Sequence, residues 1–195
     1  MREFKEQELA NTAWAYATTG HQSSHLFQGI ASETVRRLNS EQNKFKPQEM
    51  SNMVWAFATA GHQRGADYRA TTALLGAIAK VITKRLGDFK EQELANTIWA
   101  YARLEHRDVD LFRMVSIEAQ KRLADFKTQE LANLVWAYAS VSYRYLISPP
   151  RHPLLPHVAH PVSPISQHSI LFFLSFAHPP ISPICRTPLF PYLTF

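Results

Sequence analysis

Three polar side chains recur in this sequence at fixed spacing. Lys5, Lys46, Lys90 and Lys127 are each followed two residues later by a glutamine (Gln7, Gln48, Gln92, Gln129). Six residues after each lysine stands an asparagine (Asn11, Asn52, Asn96, Asn133). An amide both donates and accepts, which suits nucleotide edges, sugar hydroxyls or an extended peptide backbone. A lysine beside it adds attraction for phosphate. The competing reading is structural: the amides bridge neighbouring elements and the lysines are simply solvated. A second basic set, Arg36-Arg37, Lys84-Arg85 and Lys121-Arg122, precedes a leucine each time. Cations at a helix C-terminus are favoured by the dipole alone, by about 0.3–1 kcal/mol. As a phosphate-tracking stripe, the same set makes Arg37, Arg85 and Arg122 candidate contacts.

Nothing in the sequence assembles a catalytic group. There is no glycine-rich phosphate loop and no nucleophile with a recurring base and orienting carboxylate, so no enzyme activity is expected. His21, His62 and His106 recur after Gly20, Gly61 and Glu105, where closing an interhelical loop explains them better than acid–base chemistry. Cys185 is the single cysteine, which excludes an internal disulfide framework and a cysteine-built metal site. No metal or cofactor is expected. A formal net charge of +5 permits an anionic partner without demanding one.

The elements that must position these side chains are repeats. FKEQELANTAWAYA begins at Phe4, FKPQEMSNMVWAFA at Phe45, FKEQELANTIWAYA at Phe89 and FKTQELANLVWAYA at Phe126. Trp14, Trp55, Trp99 and Trp136 keep one position within them. At 100° per residue, Leu9, Ala10, Ala13, Trp14, Tyr16 and Ala17 fall in a broad apolar arc, with Gln7, Asn11 and Thr18 on the other side. Pro47 marks a first helical turn, which makes Glu49 and its equivalents Glu8, Glu93 and Glu130 third helical residues beside the positive helix end. A second helix is expected over 24–39 and 108–124. Its apolar stripe is Phe27, Ile30, Ala31, Val35 and Leu38 in copy one, and Phe112, Val115, Ala119 and Leu123 in copy three. In copy two the stripe is Leu75, Ile78, Ala79, Ile82 and Leu86, after a seven-residue insertion placed in the 63–72 loop or in added helical turns. Copy four keeps only its first helix, loses the pattern after about Ser140, and is expected to leave Leu131, Val135 and Trp136 uncovered.

Helical hairpins of this size cannot bury their own apolar faces and must stack. The fold class is therefore all-α, an α-solenoid over 3–141 with units starting at 4, 45, 89 and 126, read as an excerpt from a longer array. The remainder, 142–195, has a different composition. Of twelve prolines, only Pro47 lies outside it, and no acidic residue lies within it. Prolines every few residues forbid a continuing helix. This tail is expected to be disordered or to be mis-translated non-coding sequence. Its histidines (His152, His157, His160, His168, His178) fit no compact metal pattern. The apolar stretch 170–177 falls well short of the roughly 20 residues of a membrane span, so no membrane partner is expected.

The phrase Q-E-L-A-N-x-x-W-A-Y-A resembles the octotricopeptide repeats of algal organelle proteins, and Pro47-Gln48 is especially close to their P-Q-x-L-A-N-x-x-W-A motif. It is also similar to helical repeats in FAST-kinase-like proteins and in a subunit of the kinetoplastid mitochondrial RNA-editing substrate-binding complex. The resemblance covers about residues 3–141. It implies an α-solenoid that binds single-stranded RNA and acts in organellar RNA processing, stability or translation, in mitochondria or plastids, together with other RNA-processing proteins. No transit peptide is visible ahead of Phe4. The RAP-type C-terminal domain that many such proteins carry is not visible either, so nuclease activity is not expected. On this reading the concave face, lined by the first helices, holds RNA. The alternatives are a scaffold gripping an extended peptide, or an inactive truncated gene product.

Overall fold

The recurring motif folds as one helix per copy, and each helix starts in the same way. In the computed structural model, which describes residues 1–21, 23–40, 43–61 and 67–147 (backbone only at 67 and 143–147), the motif helices are α1 (Glu6–Thr18), α3 (Pro47–Ala60), α5 (Glu91–Arg103) and α7 (Thr128–Ile147). Each follows an extended lysine or begins just after one. The backbone N–H groups of Lys5, Lys46, Lys90 and Lys127 donate to Glu8, Glu49, Glu93 and Glu130 at 2.7–2.9 Å. The glutamate thus satisfies a donor that the helix start would otherwise orphan, while its charge complements the helix dipole. A lysine side chain offers no acceptor, so the reciprocal bond of a full capping box cannot form.

The second helices are α2 (Ser24–Leu38), α4 (Asp67–Ile82) and α6 (Val109–Lys121). Among the described residues there is no strand. All seven helices belong to one compact unit, Met1–Arg151. The histidine-rich and proline-rich stretch, with the readings made for it, lies outside the described residues. So does His62.

The hairpin turns use the recurring histidines as loop closers. The N–H groups of His21 and His106 donate to the carbonyls of Tyr16 and Tyr101 at 3.0 Å, and each imidazole sits edge-on against the same tyrosine ring at 5.3 and 5.6 Å. That closure needs a left-handed residue just before the histidine. Gly20 (φ 68°) supplies it in the first hairpin and Glu105 (φ 58°) in the third, at the cost that a Cβ carries in that region.

The stacking is visible in which positions change burial along the array. Ala10, Ser51 and Ala95 are buried, whereas the equivalent Ala132 of α7 is exposed. Conversely, Ala56, Ala100 and Ala137 are buried, whereas the equivalent Ala15 of α1 is exposed. The first set faces the following unit and the second faces the preceding one. Small side chains at both let the motif helices α1, α3, α5 and α7 pack directly side by side, and α2 packs along α4. Between layers the aromatic residue two after the tryptophan reaches back to the preceding second helix. Phe57 packs edge-on against Phe27 at 4.9 Å. Tyr101 donates to the Leu75 carbonyl at 2.7 Å, and Tyr138 to the Phe112 carbonyl at 2.8 Å. Burial pushes both tyrosine hydroxyls up from the ordinary phenol range, with Asp108 adding to it at Tyr101.

These contacts place the insertion in copy two. Leu75 lies 20 residues after Trp55, while Phe27 lies 13 after Trp14 and Phe112 lies 13 after Trp99. The extra residues fall before Leu75. Five of the seven lengthen α4 at its N-terminal end, which begins eight residues ahead of Leu75, whereas α2 and α6 begin three ahead of Phe27 and Phe112. Two details differ from the sequence reading. The third hairpin's second helix ends at Lys121 and gives way to a separate 3-10 turn, Leu123–Asp125, in which Leu123 is exposed rather than part of the buried stripe. Helix α7 continues to Ile147, past the end of the repeat pattern.

Burial differs sharply at the same motif position: Trp55 is 7% exposed and Trp136 42%. Trp55→Ala is expected to cost about 3–5 kcal/mol in urea unfolding followed by circular dichroism. Trp136→Ala should cost well under half of that.

Candidate nucleic-acid interface

The interior motif helices show how little of their surface the packing leaves open. In α5, Leu94, Ala95, Thr97, Ile98, Ala100, Tyr101 and Ala102 are buried, which covers every direction except one. The residues left in that gap are Gln92, Asn96, Trp99 and Arg103, which lie within about 60° of one another on the helical wheel. Gln92 and Arg103 are exposed, and Asn96 and Trp99 are half-buried. Helix α3 repeats the arrangement, with Gln48 and Thr59 exposed, Asn52 half-buried and Trp55 buried. Neighbours on both sides and the second-helix layer beneath consume the remainder of the circumference.

The outer helices carry the same strip. Gln7, Asn11 and Thr18 are exposed on α1. On α7, Gln129 is exposed, Asn133 is half-buried, and the Gln129 amide donates to the Asn133 Oδ1 at 3.1 Å. The stacking therefore brings the four glutamine–asparagine pairs onto the outward face of successive parallel helices. None of the glutamines is buried between units, and no asparagine is more than half-buried.

The four lysines stand at the starts of these helices, all exposed, and no ion pair of theirs occurs among the described residues. The nearby glutamates do not neutralise them through their side chains. Those carboxylates are turned to the lysine backbone N–H groups, and Glu49 and Glu130 are buried there. One edge of the motif-helix layer thus carries four unpaired ammonium groups and four helix N-termini.

The three candidate arginines are placed differently. Arg37, 11% exposed, is bound to Glu33 at 2.7 Å and to Glu6 of α1 at 3.2 Å. Its guanidinium also donates to the Met1 and Arg2 carbonyls. Arg122 repeats this with Glu91 of α5 at 3.0 Å and the Leu86 carbonyl at 3.3 Å. In copy two, Pro47 occupies the place of Glu6 and Glu91, and Arg85 turns instead to Asp88 at 2.9 Å and the Phe45 carbonyl at 3.2 Å. These guanidiniums tie the end of each second helix to the start of its own motif helix. They are fasteners of the hairpin, with few donors left for a ligand.

The sequence reading missed two contributors to the strip. The tryptophans were assigned to the apolar arc, yet they sit on its border with the amides, and Trp99 and Trp136 meet with ring centroids 6.2 Å apart, tilted by 36°. Arg103 occupies the strip four residues after Trp99. The signal for both was present, since Gln, Asn, Trp and the residue at the Thr18 position follow an i, i+4, i+7, i+11 pattern that defines one helix face.

No helix among the described residues is long and apolar enough to cross a membrane. In comparisons with known proteins, no family model matches the chain and no curated sequence matches it.

The ion pairs that close the hairpins set an acid limit on stability. Hydrogen bonds from Arg36, opposed by burial and reinforced by Arg37, hold the Glu33 carboxyl at about 2 against an ordinary 4.5. Because its folded value is depressed, Glu33 stabilises the fold fully above pH 4.5 and loses that contribution as pH falls toward 2. Glu33→Gln should lower the unfolding midpoint at pH 7 and leave it nearly unchanged at pH 2. Burial holds the His106 imidazole below its ordinary 6.5, so protonation of this ring adds a milder loss of stability as pH falls through 6.5. His106→Gln should flatten that shallower slope in thermal melts recorded between pH 7 and pH 5.

Proposed function

We propose that the open face of the motif-helix layer binds single-stranded RNA. The observation that carries this reading is the strip left by the packing. On the interior helices the solvent meets Gln48 and Asn52, Gln92 and Asn96, the half-buried Trp99 and Arg103. Unpaired Lys46 and Lys90 stand at the head of the same helices. Amides can address base edges and ribose hydroxyls, an indole face can stack on a base, and ammonium groups can neutralise phosphates. Because the strip repeats once per helix, about one nucleotide per unit is expected, as in other one-base-per-repeat proteins. The role is one of binding, with Lys5, Lys46, Lys90 and Lys127 as phosphate contacts and the glutamine–asparagine pairs as base or sugar contacts. Arg37, Arg85 and Arg122 are left out of the contact set because the hairpins already use them.

The resemblance to octotricopeptide and FAST-kinase-like repeats supports extending the proposal to organellar RNA processing, stability or translation. The variable residue after each asparagine (Thr12, Met53, Thr97, Leu134) does not carry sequence preference in this reading. It faces the preceding unit, and Met53 and Thr97 are fully buried there.

The test is a fluorescence titration with mixed-sequence single-stranded RNA at several salt concentrations. Changing the four lysines to glutamine should weaken binding and shallow the slope of log K against log salt by about 3, at roughly 0.7 per phosphate contact. Gln48→Ala, Asn52→Ala, Gln92→Ala and Asn96→Ala together should weaken binding while leaving that slope in place. Salt-independent binding, or affinity untouched by both sets, overturns the proposal. Retained binding of an extended peptide in place of RNA assigns the strip to the scaffold alternative.

A further inference from the structure

The three hairpins are close copies, so a place where one departs from the others is informative. At the end of the second helix, unit one carries Arg36 and Arg37 with two carboxylates, Glu33 and Glu6. Unit three carries Lys121 and Arg122 with Glu118 and Glu91. Each pair of cations is neutralised in the same way. The tyrosine and phenylalanine contacts described above align Phe27, Leu75 and Phe112, and that alignment gives the corresponding residues of unit two. Lys84 and Arg85 are the cations, Val81 stands where Glu33 and Glu118 are, and Pro47 stands where Glu6 and Glu91 are. Both carboxylates are gone. A further cation, Lys80, replaces Ser32 and Ile117.

Of these three cations, only Arg85 has an acidic partner, Asp88 of the adjoining 3-10 turn. Lys80 in the last turn of α4 and Lys84 in the turn that follows it are exposed and make no ion pair among the described residues. Like charges this close in the chain repel, and no ion pair among the described residues offsets that cost. The same residues line a cavity of about 330 Å³ between the end of α2 and α4. Its apolar lining is the buried Leu38 and Ala77 with the half-buried Val81, and its polar lining is Lys80, Lys84, Arg85, Asn39 and Asn43. The Asn43 Oδ1 already accepts the Phe45 N–H at 3.1 Å, which turns the amide so that its NH₂ remains to donate. Among the described residues no carboxylate lines the cavity.

We propose that this cavity is an anion site that takes a phosphate group, held by Lys80, Lys84 and the Asn43 amide. The apolar lining accepts the group to which the phosphate is attached. The site is independent of the RNA-binding strip, being built by α2 and α4 rather than by the motif helices. A helix-end dipole explains one or two cations, as in units one and three. It does not explain a third, nor the removal of both carboxylates where a cavity opens.

The other units supply the test. Val81→Glu installs the residue that both neighbours carry, at a position where the repeat demonstrably accepts it. Pro47→Glu does the same at the other site. The full-length, isotope-labelled chain is titrated with inorganic phosphate and with uridine 5′-monophosphate, following backbone amides of Asn39, Ala77 and Lys84 by NMR. Saturable shifts at these residues are expected, tighter for the nucleotide. Val81→Glu should weaken both by about tenfold, one added charge beside the bound anion being worth that much near a protein surface. Gln48→Ala/Asn52→Ala, on the strip, should change neither. Lys80→Ser, which again copies unit one, tests the site without adding a charge and should weaken binding severalfold. Competition by single-stranded RNA for the nucleotide identifies the site's phosphate as one in a polynucleotide backbone. Its failure to compete identifies a small phosphorylated ligand. Absence of saturable shifts in the unaltered chain, or equal binding by Val81→Glu and Lys80→Ser with circular dichroism unchanged, overturns the proposal.

Discussion

The close side-by-side approach of parallel motif helices is the constraint on which the remaining structure rests. Two helices pack at about 8–10 Å depending on the side chains between them, and the small residues at Ala10, Ser51 and Ala95 on one flank and Ala56, Ala100 and Ala137 on the other keep that approach direct. The consequences propagate outward. The Ser51 hydroxyl can reach across to the Glu93 carbonyl at 3.2 Å, a carbonyl that also accepts from Thr97. The aromatic clasp from Phe57, Tyr101 or Tyr138 reaches the preceding second helix. A bulkier residue at either small position would separate the helices and lose both links together. The same closeness decides what remains for solvent: two flanks and the inner face are consumed, and one narrow strip is left.

A division of labour among the charged residues follows from this geometry. Glu8, Glu49, Glu93 and Glu130 are turned inward to the helix starts, so they cap without neutralising the lysines beside them. Arg37 and Arg122 are turned across the hairpin to Glu6 and Glu91, so they fasten without contributing to an open basic surface. Arg37 and Arg122, each half of a basic pair in the sequence, are thus among the cations least free to meet an anion. The isolated lysines at helix starts, and the unpartnered lysines of unit two, are the ones the fold leaves with their charge uncompensated.

The architecture was legible because the repeat is close to literal. Four tryptophans in one frame, an i, i+4 amide pair and a glutamate three residues into each helix imply hairpins that stack, and the helix starts follow at Lys5, Lys46, Lys90 and Lys127. Partner choice was not legible. Arg37 finds Glu6 across 31 positions of chain, a distance at which periodicity carries no information, and only the equivalent pair Arg122–Glu91 at the same separation hinted at it. The tryptophans were misplaced for a different reason. A wheel that sorts residues as polar or apolar puts an indole with the core, while the structure puts it on the boundary between the next unit and the open strip. Its burial then depends on whether a following unit is present, which is why Trp55 and Trp136 differ. Leu123 illustrates the same dependence, being exposed at the end of the third hairpin although its equivalents Leu38 and Leu86 are buried.

Unit two shows how a repeat array can vary its surface charge without varying its fold. The scaffold contacts of that unit are retained: Phe45 and Met50 are buried, Trp55 fills its place, and Leu86 closes the hairpin. What changes are residues at the margin of the packing: Pro47 and Val81 are half-buried and Lys80 is exposed. Pro47 still starts its helix well because a proline suits the first turn, so the loss of a glutamate there costs the helix nothing. Val81 keeps the aliphatic surface that a glutamate stem would have covered. With both carboxylates removed, Arg85 moves to a carbonyl and Asp88, and the fastening survives with a different partner. The charge of Lys84 finds none among the described residues. A substitution that relieves no packing problem and leaves a cation unbalanced beside a cavity is most simply understood as serving something that enters the cavity, and the hairpins on either side define what its absence looks like.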